Sequence, residues 1–306
     1  MRFSVEWFGC ATFRVCIGDL TLFFDTYLDK APGVPPCGLQ ASDVKAADFL
    51  FISHAHFDHV YGADVIAKAT GAIVVGNYET AHLMQACGVP EEQVIATAGG
   101  DCIECDKSVR VRALPSQHSC LFAASAPDSH SSCLGDVGLS AQDRRQRERG
   151  LFDLIPTVSE EIRSYFAGAE GRTSALDGGQ LAYLVESPEV SLLVSASSGY
   201  WKGIFDGLRP EVAILAAAGR PNVDGEPYQG SLSDFLVEQV ELLGCPAVIL
   251  CHHDPLLPPV MNGTDVSDAE RRLRHLLGDD RLLSLSYGSP IDLSSRRSPA
   301  GGPVRP

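Results

Sequence analysis

Short apolar runs broken by glycine and polar turns open the chain. Residues 3–8, 11–17 and 20–25 are β-rich and separated by Gly9 and by Gly18-Asp19, which predicts a meander of adjacent strands. Residues 48–53, Asp-Phe-Leu-Phe-Ile-Ser, are almost continuously apolar, as a strand buried on both faces requires. A helix is predicted at 63–70, a strand at 72–76, and a helix at 79–87 ended by Gly88 and Pro90. Residues 108–114 are again strand-like and run into Pro115-Ser-Gln-His118. Further on, 179–195 reads as a hairpin turning at Ser187-Pro188, and 211–215 as a strand leading to a Gly-rich loop. Residues 231–243 read as an amphipathic helix capped by Ser231, and 246–251 as a buried strand ending at His252-His253-Asp254.

Between these halves the pattern changes. Residues 121–178 are rich in Ser, Ala, Gly and Asp, with a mixed charge run from Asp143 to Arg149 that reads as a solvated helix face. A helix is predicted at 158–167, with Ser159 as its cap and acids in its first turn. A loop-rich stretch this long inside a compact domain is a functional lid or is disordered. It departs directly after His118, so it is expected to form a lid or pocket wall. The expected organisation is one domain over 1–293 with this insertion at about 121–178, and a disordered tail of Ser, Gly, Pro and Arg at 294–306.

Composition narrows the function classes. The 306 residues are 45% hydrophobic and 21% charged, ordinary for a globular chain. Against 24 Lys and Arg stand 39 Asp and Glu, a net charge of −15. Such a surface repels phosphate backbones and anionic lipid, so a small-molecule substrate is expected rather than nucleic acid or a membrane. The first eight residues alternate like a strand rather than forming a signal peptide, and no run approaches the roughly 18 apolar residues of a membrane span. These features suggest a cytoplasmic protein. The ten cysteines read as free thiols. Only Cys102 and Cys105 have CxxC spacing, and with no second pair they are assigned to a strand or turn rather than a zinc site. Cys120, two residues after His118, reads as a buried inert thiol.

The chemistry concentrates in one run. His54, His56, Asp58 and His59 fall within six positions directly after the buried strand. Side chains two apart on an extended segment point the same way, so His54 and His56 can share an ion. Where the chain curls into a helix, Asp58 and His59 can face a second ion beside it. Imidazole and carboxylate donors suit Zn²⁺, with Mn²⁺ or Fe also compatible. His118 and His252 each follow another strand end, so six of the nine histidines lie in three segments of the same structural kind.

The run Ser53-His54-Ala-His56-Phe-Asp58-His59, followed by Gly62, resembles the HxHxDH signature of the metallo-β-lactamase superfamily. Trp7-Phe8-Gly9-Cys-Ala-Thr-Phe13 and Phe23-Phe24-Asp25 resemble the opening strands of its lactonase-like branch, which includes many uncharacterised metal-dependent hydrolases. The resemblance covers about residues 3–260 apart from the insertion. It implies an α/β (α+β) fold, a four-layer αββα sandwich with metals at one edge of the two sheets. It also implies His54, His56 and His118 as ligands of a first metal, Asp58, His59 and His252 as ligands of a second, and Asp25 as an acid behind the site.

One position departs from that pattern. Ser197, in Ser195-Ala-Ser197-Ser198-Gly199, stands where the family has an Asp bridging both metals. A neutral hydroxyl is a poor ligand for a divalent ion, so a replacement such as Asp254 or His253 is expected, or a single ion. Tyr200 and Trp201 are candidates for an aromatic pocket wall. Two functions follow. The first is hydrolysis of a small ester, lactone or phosphoester by metal-activated water, with Asp58 as the proton acceptor. The second is a divergent protein with a mononuclear site and a non-hydrolytic or binding role in biosynthesis.

Overall fold

The computed structural model describes residues 2–123, 139–245 and 247–296. Strands β1 (Phe3–Trp7), β2 (Phe13–Ile17) and β3 (Leu20–Phe24) form the expected antiparallel meander. Gly18 takes the second turn at a φ of 59°, where an L side chain would be strained. Next come β4 (Phe49–Phe51), the short α1 (Phe57–Val60), α2 (Ala63–Thr70), β5 (Ile73–Gly76), α3 (Tyr78–Ala86) and β6 (Val94–Ala96). Here β3, β4, β5 and β6 pair in parallel. Asn77 caps α3 by accepting from Thr80 N at 2.8 Å.

Strands β7 (Cys102–Glu104) and β8 (Arg110–Pro115) lead into the insertion, which contains α4 (Ala141–Leu154) and α5 (Glu160–Ala169). The charge run lies on α4, which presents no buried residue, while Ser159 caps α5. The chain then forms β9 (Leu181–Glu186), β10 (Ser191–Ser195), β11 (Gly199–Tyr200), α6 (Lys202–Phe205), β12 (Val212–Ala216), β13 (Asn222–Val223) and β14 (Glu226–Pro227). It closes with α7 (Leu232–Leu243), β15 (Ala247–Cys251), α8 (Ser267–Leu277) and β16 (Ile291–Asp292). The strand at 246–251 thus begins at Ala247, and Pro246 lies outside the described residues.

One sheet has the order β16-β1-β2-β3-β4-β5-β6 and the other β15-β12-β10-β9-β8-β7. Inward residues of both, such as Phe13, Phe24, Phe51, Val111, Tyr183, Ile214 and Ile249, pack into one buried core. The outer face of the first sheet is covered by Ile66, Ala67, Leu83 and Met84 from α2 and α3. The outer face of the second is covered by Phe235, Leu236, Val240 and Leu273 from α7 and α8. This is the four-layer αββα arrangement. Strands β8, β10, β12 and β15 all run the same way, which places the residues after their C-terminal ends on one edge. Strands β1, β3 and β4 share a direction in the first sheet for the same reason. Active sites of α/β sheets collect at such edges.

The insertion's described part packs over this edge. Ile155, Ile162, Phe152, Tyr165 and Phe166 form a cluster with Tyr27, Phe57 and Cys10. Both backbone groups of Ala55 are bonded to it: Ala55 N donates to Asp177 O at 3.1 Å and Ser174 N donates to Ala55 O at 3.0 Å. Residues 124–138 lie outside the described residues. Of the C-terminal tail, Ser294 accepts from Phe3 N at 2.9 Å, and 297–306 lie outside the described residues. No disulfide forms among the described cysteines. Among the described residues no helix is long and apolar enough to cross a membrane.

Candidate metal centre

Two clusters of donor atoms sit side by side where the sheet edges meet. One comprises His54, His56 and His118, the other Cys10, Asp58, His59 and His252, with the donor atoms of each within 4.8 Å of one another. His54 follows β4, His118 follows β8, His252 follows β15 and Cys10 follows β1, so four strand ends converge. The His54 and His118 rings are 4.7 Å apart, closing the gap between the sheets.

Hydrogen bonds behind the rings decide which nitrogens are free. His118 Nδ1 is 2.8 Å from Ser119 O, and a carbonyl only accepts, so Nδ1 carries the proton and Nε2 is the lone-pair atom. His59 Nδ1 donates to Asp25 Oδ2 at 2.6 Å, again leaving Nε2 forward. Ser53 Oγ donates to Asp25 Oδ2 at 2.8 Å and therefore accepts from His54 Nδ1 at 3.0 Å. His54 Nε2 then faces His56 Nδ1 at 3.1 Å, close enough for both nitrogens to meet one ion. In the second cluster Asp58 Oδ2 is 3.0 Å from His59 Nε2 and 3.1 Å from His252 Nε2, and the two imidazole nitrogens are 3.2 Å apart. Donors bonded to a tetrahedral ion at about 2.0–2.1 Å stand about 3.3 Å from one another. The Asp58, His59 and His252 donors and the His54–His56 pair match that spacing, and His118 lies within 4.8 Å of its pair, so the residues present fit metal ions.

The electrostatics agree. Burial, reinforced by His59, His56 and His118, holds the His54 imidazole well below its ordinary range. Burial and then His118 lower His56 to about 3. Burial also lowers His118. The first cluster is thus three neutral imidazoles, the protonation state a metal needs. In the second, burial opposes charge on His59, but Asp58 and Asp25 outweigh it and raise the imidazole to about 10. Burial likewise opposes the Asp58 anion, yet His59 and His252 hold that carboxyl well below its usual range. A proton occupies the place of a cation there.

The remaining candidates resolve as follows. Asp25 lies behind the site, its carboxylate accepting from Ser53 N at 2.7 Å as well as from Ser53 Oγ and His59. His252, not His253, enters the cluster, since the His253 ring stacks on Trp7 at 5.4 Å. Asp254 lies outside both clusters, both of its oxygens accepting from Cys10 N at 2.9 Å and one also from Tyr287 Oη. Ser197 Oγ accepts from Ser119 N at 3.1 Å and so holds the His118 loop. Tyr200 is 1% exposed and stacks on Phe205 at 5.2 Å beneath the outer face of the second sheet, so it forms no pocket wall. Trp201 is the residue just before α6, next to Gly225. The aromatic beside the site is instead Phe152 of α4, with its ring 5.1 Å from His56. Cys120 is buried as expected, and Cys102 and Cys105 lie on β7 and its turn, with no metal-binding cluster around them among the described residues.

Sequence reading missed two residues. Phe152 gave no signal, because α4 is polar overall. Cys10 did offer one: like the histidines, it sits just past the end of a strand.

Residues 21–137 match the β-lactamase superfamily domain. That match spans the run His54–His59 of the metal centre. It is 30% identical over 142 residues to a UPF0173 metal-dependent hydrolase of Pyrobaculum neutrophilum, a match spanning 44% of this chain and 62% of that relative. Among solved structures, the fold is similar to Igni18, a metallo hydrolase from Ignicoccus hospitalis, with a TM-score of 0.61 and 14% identity. That superposition covers 95% of this chain and 98% of the other. It is also similar to CmlA, a diiron β-hydroxylase from Streptomyces venezuelae, with a TM-score of 0.58 and 14% identity over 95% of this chain and 54% of that one. Proteins of similar fold thus include a metallo hydrolase and a diiron β-hydroxylase, so the fold alone leaves the reaction open.

Proposed function

We propose that the chain is a metal-dependent hydrolase of a small ester, lactone or phosphoester, with two ions held by the paired clusters. The observation carrying this reading is the first cluster: three imidazoles, two of them (His54 and His56) buried, with His54 Nε2 and His56 Nδ1 converging at 3.1 Å and His118 Nε2 freed by its bond to Ser119 O. Three protein donors leave a coordination position for water or substrate, the mark of a catalytic rather than a structural site. The names of the hydrolase relatives support the same reading, and Zn²⁺ fits the donor set best, with Mn²⁺ or Fe as alternatives.

An ion held by these residues would supply acidification of a water and polarisation of a carbonyl or phosphoryl oxygen. The chain's own residues do the rest. Asp58 Oδ2 is held by His59 and His252, and its second oxygen, Oδ1, takes the proton of the attacking water. Phe152 shields His56 from bulk water and forms an apolar wall for the substrate. The insertion, tied to Ala55 between the first two ligands, acts as the lid over the pocket.

The test is a panel of chromogenic substrates: an aryl ester, a lactone with pH readout and a phosphodiester. Turnover of one class that is lost on chelation, restored by Zn²⁺ or Mn²⁺, and absent from His54→Ala supports the proposal. Turnover unaffected by chelator and by that substitution refutes it. Ser197 in place of a bridging acid favours the second reading, a mononuclear non-hydrolytic site. One bound ion with no turnover in any class would select it.

A further inference from the structure

Ser197, His253 and Asp254 all stand outside the second cluster, Ser197 Oγ accepting from Ser119 N instead. What the fold brings there instead is a thiol. Cys10 Sγ lies 3.6 Å from Asp58 Oδ2, and Cys10 is 2% exposed. A sulfur bonded at about 2.3 Å and an oxygen bonded at about 2.0 Å on one tetrahedral ion stand about 3.5 Å apart. The sulfur therefore sits at the ligand spacing already shown by the other three donors.

The backbone around Cys10 is over-determined. Its N–H donates to both oxygens of Asp254 at 2.9 Å. Its carbonyl accepts from Trp7 Nε1 at 2.9 Å and from His252 N at 3.0 Å. The last bond ties the thiol-bearing turn directly to a neighbouring donor residue. Cys10 and His252 both adopt left-handed backbone, with φ of 51° and 62°, conformations that cost free energy in non-glycine residues and gather at functional sites. Gly9 is required beside them: a Cβ there would come within 2.9 Å of Asp254 Oδ2 and 3.0 Å of Tyr287. A thiol serving only to fill space needs none of this.

We propose that Cys10 is a thiolate ligand of the second ion, so that Cys10, Asp58, His59 and His252 form a closed four-donor site beside the open three-histidine site. The inference rests on the metal-centre reading above. The closed site selects thiophilic ions such as Zn²⁺ or Co²⁺ over Mn²⁺. The ion's role there is to fix the site and supply charge, while the open site meets the substrate.

The experiment is cobalt substitution of the full chain, read by absorption and elemental analysis. Wild type is expected to bind two Co²⁺ with a thiolate-to-cobalt charge-transfer band in the near ultraviolet. Cys10→Ser is expected to lose that band and retain about one equivalent, while Cys16→Ser keeps both. X-ray absorption of the zinc-loaded wild type, which needs no variant, is expected to show a sulfur scatterer at about 2.3 Å. Two bound ions with no sulfur scatterer, or a band that survives in Cys10→Ser, would overturn the thiolate and leave the metal centre standing. No bound ion at all would overturn both.

Discussion

Asp25 Oδ2 lies 2.6 Å from His59 Nδ1, and the same oxygen accepts from Ser53 Oγ, which in turn accepts from His54 Nδ1. One buried carboxylate therefore orients a histidine in each cluster. Groups behind a metal site that fix ring tautomer and basicity typically contribute 10- to 100-fold in affinity. Asp25→Asn is expected to weaken both ions by about that factor, whereas Ser53→Ala weakens chiefly the ion on His54. Competition with a chromophoric chelator checks this. Equal affinities in Asp25→Asn and wild type would remove Asp25 from the account.

Phe152 of α4 places its ring 5.1 Å from that of His56. It touches the pocket without donating to an ion. Phe152→Ala is expected to leave metal content unchanged and raise KM for an apolar substrate by roughly tenfold, equivalent to about 1.4 kcal/mol. A drop in metal content with KM unchanged would show that the ring supports the ligands rather than the substrate.

Tyr183 crosses from the second sheet to the first, its hydroxyl donating to Ile52 O at 2.7 Å, two residues before His54. The residue is 1% exposed, so its loss leaves a buried carbonyl under-satisfied. Tyr183→Phe is expected to cost about 1–3 kcal/mol in urea unfolding of the metal-free protein, with little change in metal affinity. A cost near zero would mean that other partners satisfy that carbonyl.

Lys30 stands over the Tyr27 ring at 4.3 Å with no hydrogen-bond partner for its ammonium. Burial pushes its pKa below the ordinary 10.5, although Cys10 and nearby acids favour the charge. A lysine lowered in the folded state destabilises the fold in full at pH below its folded pKa, and the penalty fades as pH rises from there towards 10.5. Lys30→Met is therefore expected to raise the melting temperature of the metal-free protein at neutral pH, by an amount that shrinks in alkaline buffer. A lowered melting temperature at neutral pH would show that the ammonium is compensated by the surrounding acids.

Much of this architecture was legible in the sequence. The continuous apolar run at 48–53, the meander before it and the capped helix at 231–243 each follow from local patterning that tertiary packing did not override. The cluster from His54 to His59 was legible because its donors are close along the chain. His118 and His252 were legible because each follows a strand end. The rest depended on contacts between distant segments. Tyr200 faces the helices because the β11 bend turns it outward onto Phe205 and Phe235, which no periodicity over two residues reveals. Asp254 looked like a ligand by proximity, but its carboxylate is committed to Cys10 N and Tyr287. Cys10, 48 residues from Asp58, becomes a neighbour of the second cluster only when β1 is laid beside β2 and β3.

The most direct test of the central claim is metal content per chain, by elemental analysis of protein purified without chelator or a metal-binding tag. Two paired clusters, one of three donors and one of four, predict about two equivalents of a transition metal, falling to about one in His118→Ala. Absence of metal even after incubation with zinc, manganese or iron would contradict the account.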